Sequence, residues 1–336
     1  MPLVLSDADI RPFINRSSII EAVERAHAAL STGSANSPAP PALTLPEDGV
    51  ALPMIAYDAG PDITLVKMLS DLPANPARSL PRQRSTITAF SARTGECIAM
   101  LDGHAITAVR TAAASAVATK YLARQRPSIL GLVGAGNLAI EHAYALAEVT
   151  EVRSIIVWTR STETFEAFRT GTDALGIPIA RAATPRDTIT QADIVCTLTP
   201  SEDPIVNGDW IAPGTHLNVV GAAPRADHRE VDTISIRRSR LIVDSYDTAV
   251  TKSGDVCIPL AEAAITGDHI VAELGDIVSG TVAGRRADSD ITLFNSTGLA
   301  LQDLAAVATI LDGIAASGWR APVECGHLRR DCWLPS

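Results

Sequence analysis

The chain has 336 residues, enough for two domains, with 46% hydrophobic and 20% charged residues. Its formal charge of −10 argues against a nucleic-acid or membrane-surface protein, whose footprint is a basic patch. No basic region leads into a long apolar run at the N-terminus, no run reaches membrane-spanning length, and Cys97, Cys196, Cys257, Cys325 and Cys332 show no CxxC spacing. The expectation is a cytoplasmic protein with reduced thiols and no membrane or nucleic-acid partner.

In chain order, SSIIEAVERAHAALS (17–31) predicts a helix. Ser18 and Glu21 fit a capping box there, and Ile19, Val23, Ala26 and Leu30 share one apolar face. Residues 34–49 are a proline-rich connection. Strand-type runs follow at 51–58, 63–71, 84–90 and 97–103, the last two hairpin-like with Gly95 in the turn. Residues 104–124 read as an alanine-rich helix whose small side chains suit close packing.

From residue 128 the period changes. SILGLVG, VRSIIVWT, IPIARAA, DIVCTLT, THLNVVG and SRLIVDS are six short apolar runs, mostly separated by helical segments. That alternation predicts a parallel sheet covered on both faces. In the tail TGLALQDLAAVATILDGIA, Leu301, Leu304, Ala308 and Leu311 have helical spacing, and this helix would pack back on the N-terminal half. The fold class is therefore α/β: a Rossmann-type parallel-sheet nucleotide domain (116–299) inserted in a split α+β outer domain (1–115 and 300–336). CGHLRRDC (325–332) could offer Cys325, His327 and Cys332 to a metal, but it reads as a polar tail, so no metal site is expected.

The inserted unit opens on Gly134-Ala135-Gly136-Asn137-Leu138-Ala139. The first glycine permits a tight turn, the second lets the backbone approach a pyrophosphate, and the third position need only be small. Asn137 and Leu138 start the helix whose N-terminus would meet the phosphates. No carboxylate ends the second strand, where an NAD site usually holds one. Thr159, Arg160 and Ser161 stand there instead. Arg160 could pair with a 2′-phosphate, which favours NADP(H) over NAD(H), or it is a solvated residue at a helix start. Thr199 ends the fourth strand and Val220 and Gly221 the fifth, and strand carboxyl ends border the cofactor crevice in such folds.

LDGHAITAVRTAAASAVATKYLA, GLVGAGNLA, SGDVCIPLAEAAI, VAELGDIVSG and DITLFNSTGLALQDLAAV together resemble the ornithine cyclodeaminase/mu-crystallin family, in that order and over nearly the whole chain. The resemblance implies a nicotinamide cofactor and a homodimer that pairs through the outer, substrate-binding domain. It also implies hydride transfer between the cofactor and the α-carbon of a small amino or imino acid. Arg110 matches the family's carboxylate-binding arginine, Thr111 a residue near the cofactor phosphates, and Lys67 the substrate-binding lysine, which could also act as general acid. Ser296 and Thr297 match a segment near the nicotinamide and could also cap the final helix; Asp255 and Pro259 read as loop-holding residues.

Two departures bear on the activity. Many members carry a further arginine in the proline-rich segment, where Ala42 stands here. Arg82 and Arg84 begin a nearby strand; Arg84 either replaces the lost carboxylate contact or is a surface residue. Cyclodeaminase-like members also place an aspartate after the fifth strand, and that position falls on Ala222 or Ala223. Asp227 either swings in as an acid/base group or is solvated, and His228 either titrates near neutrality or is a surface histidine. Reducing an imine asks less of that aspartate than ejecting ammonia does. The expected function is an NAD(P)H-dependent imino-acid (ketimine) reductase, reversible as an amino-acid dehydrogenase. The alternatives are ornithine cyclodeaminase and a non-catalytic NADPH or small-ligand binder of mu-crystallin type.

Overall fold

A computed structural model describes residues 2–319. The C-terminal cysteine-histidine segment lies outside the described residues. The first half of the chain runs β1 (Leu3–Leu5), α1 (Asp7–Ile10), α2 (Arg16–Ser31), β2 (Ala35–Asn36), β3 (Leu43–Thr44), β4 (Val50–Asp58), β5 (Ile63–Asp71), β6 (Gln83–Ser91), β7 (Cys97–Asp102) and α3 (His104–Leu122). Its sheet has the order β1-β7-β6-β5-β4-β2, with β3 also on β4. Strands β4 to β7 are an antiparallel meander, and β1 joins β7 in parallel. Successive side chains of a strand alternate between faces. In β5, Ile63, Leu65, Lys67, Leu69 and Asp71 turn inward and are buried, while Val66 and Met68 turn outward and are exposed.

The second unit runs β8 (Ile129–Val133), α4 (Asn137–Val149), β9 (Ser154–Trp158), α5 (Thr162–Gly171), β10 (Ile179–Arg181), α6 (Pro185–Gln191), β11 (Ile194–Thr197), β12 (His216–Val219), α7 (Thr233–Arg238), β13 (Arg240–Val243), α8 (Tyr246–Lys252), α9 (Gly254–Ala261), β14 (Ile270–Glu273), α10 (Leu274–Val278) and β15 (Thr292–Asn295). Its eight strands are all parallel, in the order β10-β9-β8-β11-β12-β15-β13-β14. Six of them were expected. The other two, β14 and β15, are four residues each, and β15 is inserted between β12 and β13.

The last helix, α11 (Ala300–Ser317), returns to pack on α2, α3, β4 and β5. Contrary to the sequence expectation, it is long and apolar enough to cross a membrane. Here that character serves burial, because over half of it lies inside the fold. The expected boundary at 115/116 falls inside α3, which is continuous from His104 to Leu122. This helix contacts α2 and α11 on one side and α4, β12 and β15 on the other, so it belongs to both halves. Its alanines permit that: Ala112, Ala113, Ala114, Ala116 and Ala118 are all at most 1% exposed. The first long helix starts one residue earlier than expected, and its cap lies three residues earlier. Its cap is Asn15, whose side chain accepts from the Ser18 backbone at 3.0 Å, so Ser18 lies within the helix.

Candidate active site

A cavity of about 560 Å³ opens between the two halves. Met54, Leu69, Ser85, Thr107 and Arg110 wall it on the outer side; Asn137, Leu138, Val220 and Ser296 wall it on the other.

Behind the outer wall lies a buried ion cluster. The inward alternation of β5 puts Lys67 under the sheet, with none of its side chain exposed. Its Nζ donates to Asp303 Oδ1 at 2.8 Å and to Thr107 Oγ1 at 2.7 Å. Arg110, from α3, donates through Nε to the same Asp303 oxygen at 3.2 Å and through Nη1 to Gln302 Oε1 at 2.8 Å. Gly298 lets the guanidinium lie this close. Its φ is +84°, and a Cβ there would sit 2.7 Å from Arg110 Nη1. Burial pulls the Lys67 ammonium down from 10.5 to about 8; Asp303 opposes that shift and Arg110 adds to it. Asp303 Oδ2 is buried without a partner.

Lys67 is not itself on the cavity wall. Thr107 and Ser85 are, with their hydroxyls 3.3 Å apart, and Thr107 stands between the ammonium and the cavity. Thr111 also lines the wall, its hydroxyl donating to Thr107 O at 2.6 Å. Sequence reading missed Gln302 and Asp303. The available signal was two polar residues inside the apolar run LALQDLAAVA, both fully buried in the fold. Gln302 also meets the ring of buried His27 at 3.2 Å.

The cofactor crevice lies at the carboxyl ends of the parallel strands. Gly134 has φ +110°, and a Cβ there would approach Leu198 O to 2.8 Å. At Gly136 the same construction meets no heavy atom within 4 Å, so the space over the α4 N-terminus is open. The first-turn N–H groups of Asn137 and Leu138 point that way without helical partners, which fits a dinucleotide phosphate. A recess of about 390 Å³ continues past Trp158, Thr159, Arg160 and Ser161. Arg160 is exposed on its wall. Ser161 caps α5, accepting from Thr164 N at 3.0 Å. Arg181, not anticipated, braces this rim by donating to Thr162 Oγ1 at 2.8 Å and Thr159 O at 3.3 Å.

Two buried acids shape the rest of the crevice. Glu230 accepts from Thr197 Oγ1 (2.6 Å), Thr199 N (2.6 Å), Thr199 Oγ1 (2.7 Å) and Gly221 N (2.7 Å), tying the ends of β11 and β12 together. Burial still raises its pKa, against those four donors. Asp244 accepts from Ser296 Oγ (3.1 Å), Thr297 Oγ1 (2.8 Å) and Gly298 N (2.6 Å). Ser296 and Thr297 thus line the cavity but do not cap the final helix, whose N-cap is Leu299.

Two expected site residues are misplaced. The Asp227 side chain is 84% exposed and is not on the cavity wall, so the acid/base reading of it fails. Its neighbour His228, with Nε2 4.0 Å from Asp227 Oδ1, is only 8% exposed, against a surface reading. The loop turns there because the His228 backbone packs against Gly254, where a Cβ would come 2.3 Å from His228 O. Ala222 and Ala223 do face the cavity. Arg84 borders it only at the rim. It is exposed and in register with Ser70 on the outward-alternating face. Arg82 lines the cavity but is paired with Asp71 at 2.9 Å.

The sequence profile of the ornithine cyclodeaminase/mu-crystallin family matches residues 1–318. The ketimine reductase mu-crystallin of Rattus norvegicus is 32% identical over 316 residues, covering 93% of this chain and 97% of that one. Among solved structures, the fold is similar to Thermococcus litoralis Δ1-pyrroline-2-carboxylate reductase in complex with NADH and L-proline. That match has TM-score 0.92 and 35% identity, covering 96% of this chain and 100% of that one. An archaeal alanine dehydrogenase dimer with bound NAD has TM-score 0.89 and 27% identity, over 95% and 97% of the two chains.

Proposed function

The chain belongs to the ornithine cyclodeaminase/mu-crystallin family, and from that premise we propose how its residues carry out imino-acid reduction. It is a nicotinamide-dependent oxidoreductase acting on C–N bonds, with relatives that reduce ketimines and pyrroline-2-carboxylate. When bound, the cofactor supplies the hydride that reaches the α-carbon of a protonated imino acid, or accepts it in reverse.

The chain's own residues do the rest. Arg110 holds the substrate α-carboxylate from the cavity wall, two N–H groups to two oxygens. Lys67 holds the proton that keeps the C=N charged, and the Thr107 hydroxyl lies between it and the cavity. As hydride arrives at carbon, the C=N π pair becomes the nitrogen lone pair, and the product is the amino acid. Asp303 fixes both cations and offsets their burial. The observation that carries this reading is the shared Asp303 oxygen. It sets a carboxylate clamp on the cavity wall and a proton-holding lysine of lowered pKa directly behind that wall.

The described cavity wall carries no Asp or Glu, and Ala222 and Ala223 occupy the stretch where cyclodeaminases need an acid. That favours reduction over ornithine cyclodeamination. A pure binder has no need of a buried lysine of lowered pKa. For the cofactor we infer NADP(H) over NAD(H), supported by Arg160, Thr159 and Ser161 around a recess with no acid on its described wall. We further infer a cytoplasmic homodimer. Val4, Met100, Thr88, Val66 and Ile55 are in register across the outer sheet, and all but Thr88 are exposed and apolar, which suits a second copy. Val66→Asp should shift the protein from dimer to monomer in size-exclusion chromatography.

The deciding assay follows oxidation of NADPH and NADH with cyclic imines and with α-keto acids plus ammonia or methylamine. Imine-dependent oxidation supports the reading. Ammonia release from L-ornithine faster than any imine reduction overturns it.

A further inference from the structure

The charged side chains on the cavity wall are Arg82, Arg84, Arg110 and Lys252, with no carboxylate among the described lining residues, in a chain of net charge −10. Arg82 is paired with Asp71 and Arg110 with Asp303. Lys252 has no such neutralisation. It ends α8 in the nucleotide half and reaches across the opening, and its Nζ donates to the carbonyl of Pro40 in the proline-rich connection. Among the described residues no carboxylate lies within salt-bridge distance of it. Burial depresses its ammonium pKa, as expected for a cation removed from water without an anion. It also walls the small recess beside Ser296 and Thr297, next to the main cavity, and is absent from the recess that holds Arg160. The one acid among the described lining residues of that small recess, Asp255, lies beyond salt-bridge distance and is raised to about 7 by burial.

Arg110 comes from the outer half of the fold and Lys252 from the nucleotide half, and the two share one cavity. We propose that the substrate is a dicarboxylic imino acid, its α-carboxylate on Arg110 and its distal carboxylate on Lys252. The inference rests on the imino-acid reading above and names the substrate class within it. A short diacid bound this way bridges the two halves. Arg84, exposed at the rim, adds to the field that draws an anion in.

The test uses the full chain with NADPH. It compares kcat/KM for the imine of oxaloacetate and ammonia with that of pyruvate and ammonia, in wild type, Lys252→Met and Lys252→Arg. The wild type should prefer the dicarboxylate. Lys252→Met should cut the ratio of the two kcat/KM values by about 10- to 100-fold, mostly through KM, as for loss of a charge-assisted hydrogen bond. Lys252→Arg should restore most of that ratio. Wild-type preference for the pyruvate imine, or an equal loss on both substrates in Lys252→Met, overturns the proposal and leaves Lys252 as a tie between the halves. If neither imine is reduced, the functional reading fails separately. Calorimetric binding of L-aspartate against L-alanine to the NADP⁺ complex then decides. Aspartate binding weakened about 10-fold by Lys252→Met supports the distal-carboxylate site, and aspartate binding unchanged by it overturns the site.

Discussion

Beneath the outer sheet, two cations and one acid are buried together: Lys67 and Arg110 meet on Asp303. At the carboxyl edge of the nucleotide sheet the buried titratable groups are acids: Glu230 and Asp244 accept from backbone N–H groups and hydroxyls, and Asp255 from the backbone N–H groups of Glu230 and Val231 and the Asn295 amide. No salt bridge to any of these three occurs among the described residues. An acid that accepts from backbone N–H groups fixes where the chain goes. A buried lysine beside an arginine is instead held ready to gain or lose a proton. On the proposed mechanism the outer half therefore carries the proton chemistry and the carboxylate clamp, and the nucleotide half carries the shape that receives the cofactor.

The largest test of this contrast is Lys67→Met. It should lower kcat by about 10²- to 10⁴-fold, the usual range for loss of a general acid. It leaves Asp303 in a one-to-one pair with Arg110, so stability in urea unfolding should change far less than activity. Asp303→Leu instead leaves both buried cations without an anion and should cost about 3–5 kcal/mol in the same experiment, which separates the two roles. In the nucleotide half, Arg160→Ala should weaken NADPH about 10- to 100-fold in fluorescence titration and leave NADH unchanged. Equal weakening of both would place Arg160 outside the 2′-phosphate site.

The pH dependence should differ in the same way. Lys67 titrates near 8, lowered from 10.5. Imine reduction needs it protonated, so its kcat/KM should fall above about pH 8, while amino-acid oxidation should rise through the same range. A flat profile would remove Lys67 as the proton donor. The smallest effect belongs to Asp255, whose burial raises it from 3.8 to about 7. Between those values the folded protein keeps a proton that the unfolded chain has lost, so stability falls as pH rises through that window. Melting temperature should drop from pH 5 to pH 8 in the wild type, and Asp255→Asn should lessen the drop.

The local patterns were legible along the chain. The glycine turn at 134–139, the strand alternation of β5 and the alanine content of α3 each work over a few consecutive residues. They sufficed to read a parallel nucleotide sheet, an outer sheet and the candidate residue Arg160, while Arg110 and Lys67 came from the family resemblance. What tertiary structure alone decided lies between residues far apart. Asp303 is 236 residues from Lys67, and no spacing rule joins them. Strand β15 is four residues long and enters the sheet between β12 and β13, because a parallel strand finds its partners by hydrogen bonding across the sheet and not by chain order. Asp227 and Lys252 make the same point in opposite directions. The aspartate in the expected loop turns to water, because packing of the His228 backbone against Gly254 sets the loop. The lysine reaches the cavity from the other half, because the approach of the two halves brings α8 against Pro40. Sequence specified which side chains were available and the secondary structure that carries them. Which charges are buried together, and which face the substrate, depended on the packing of one half against the other.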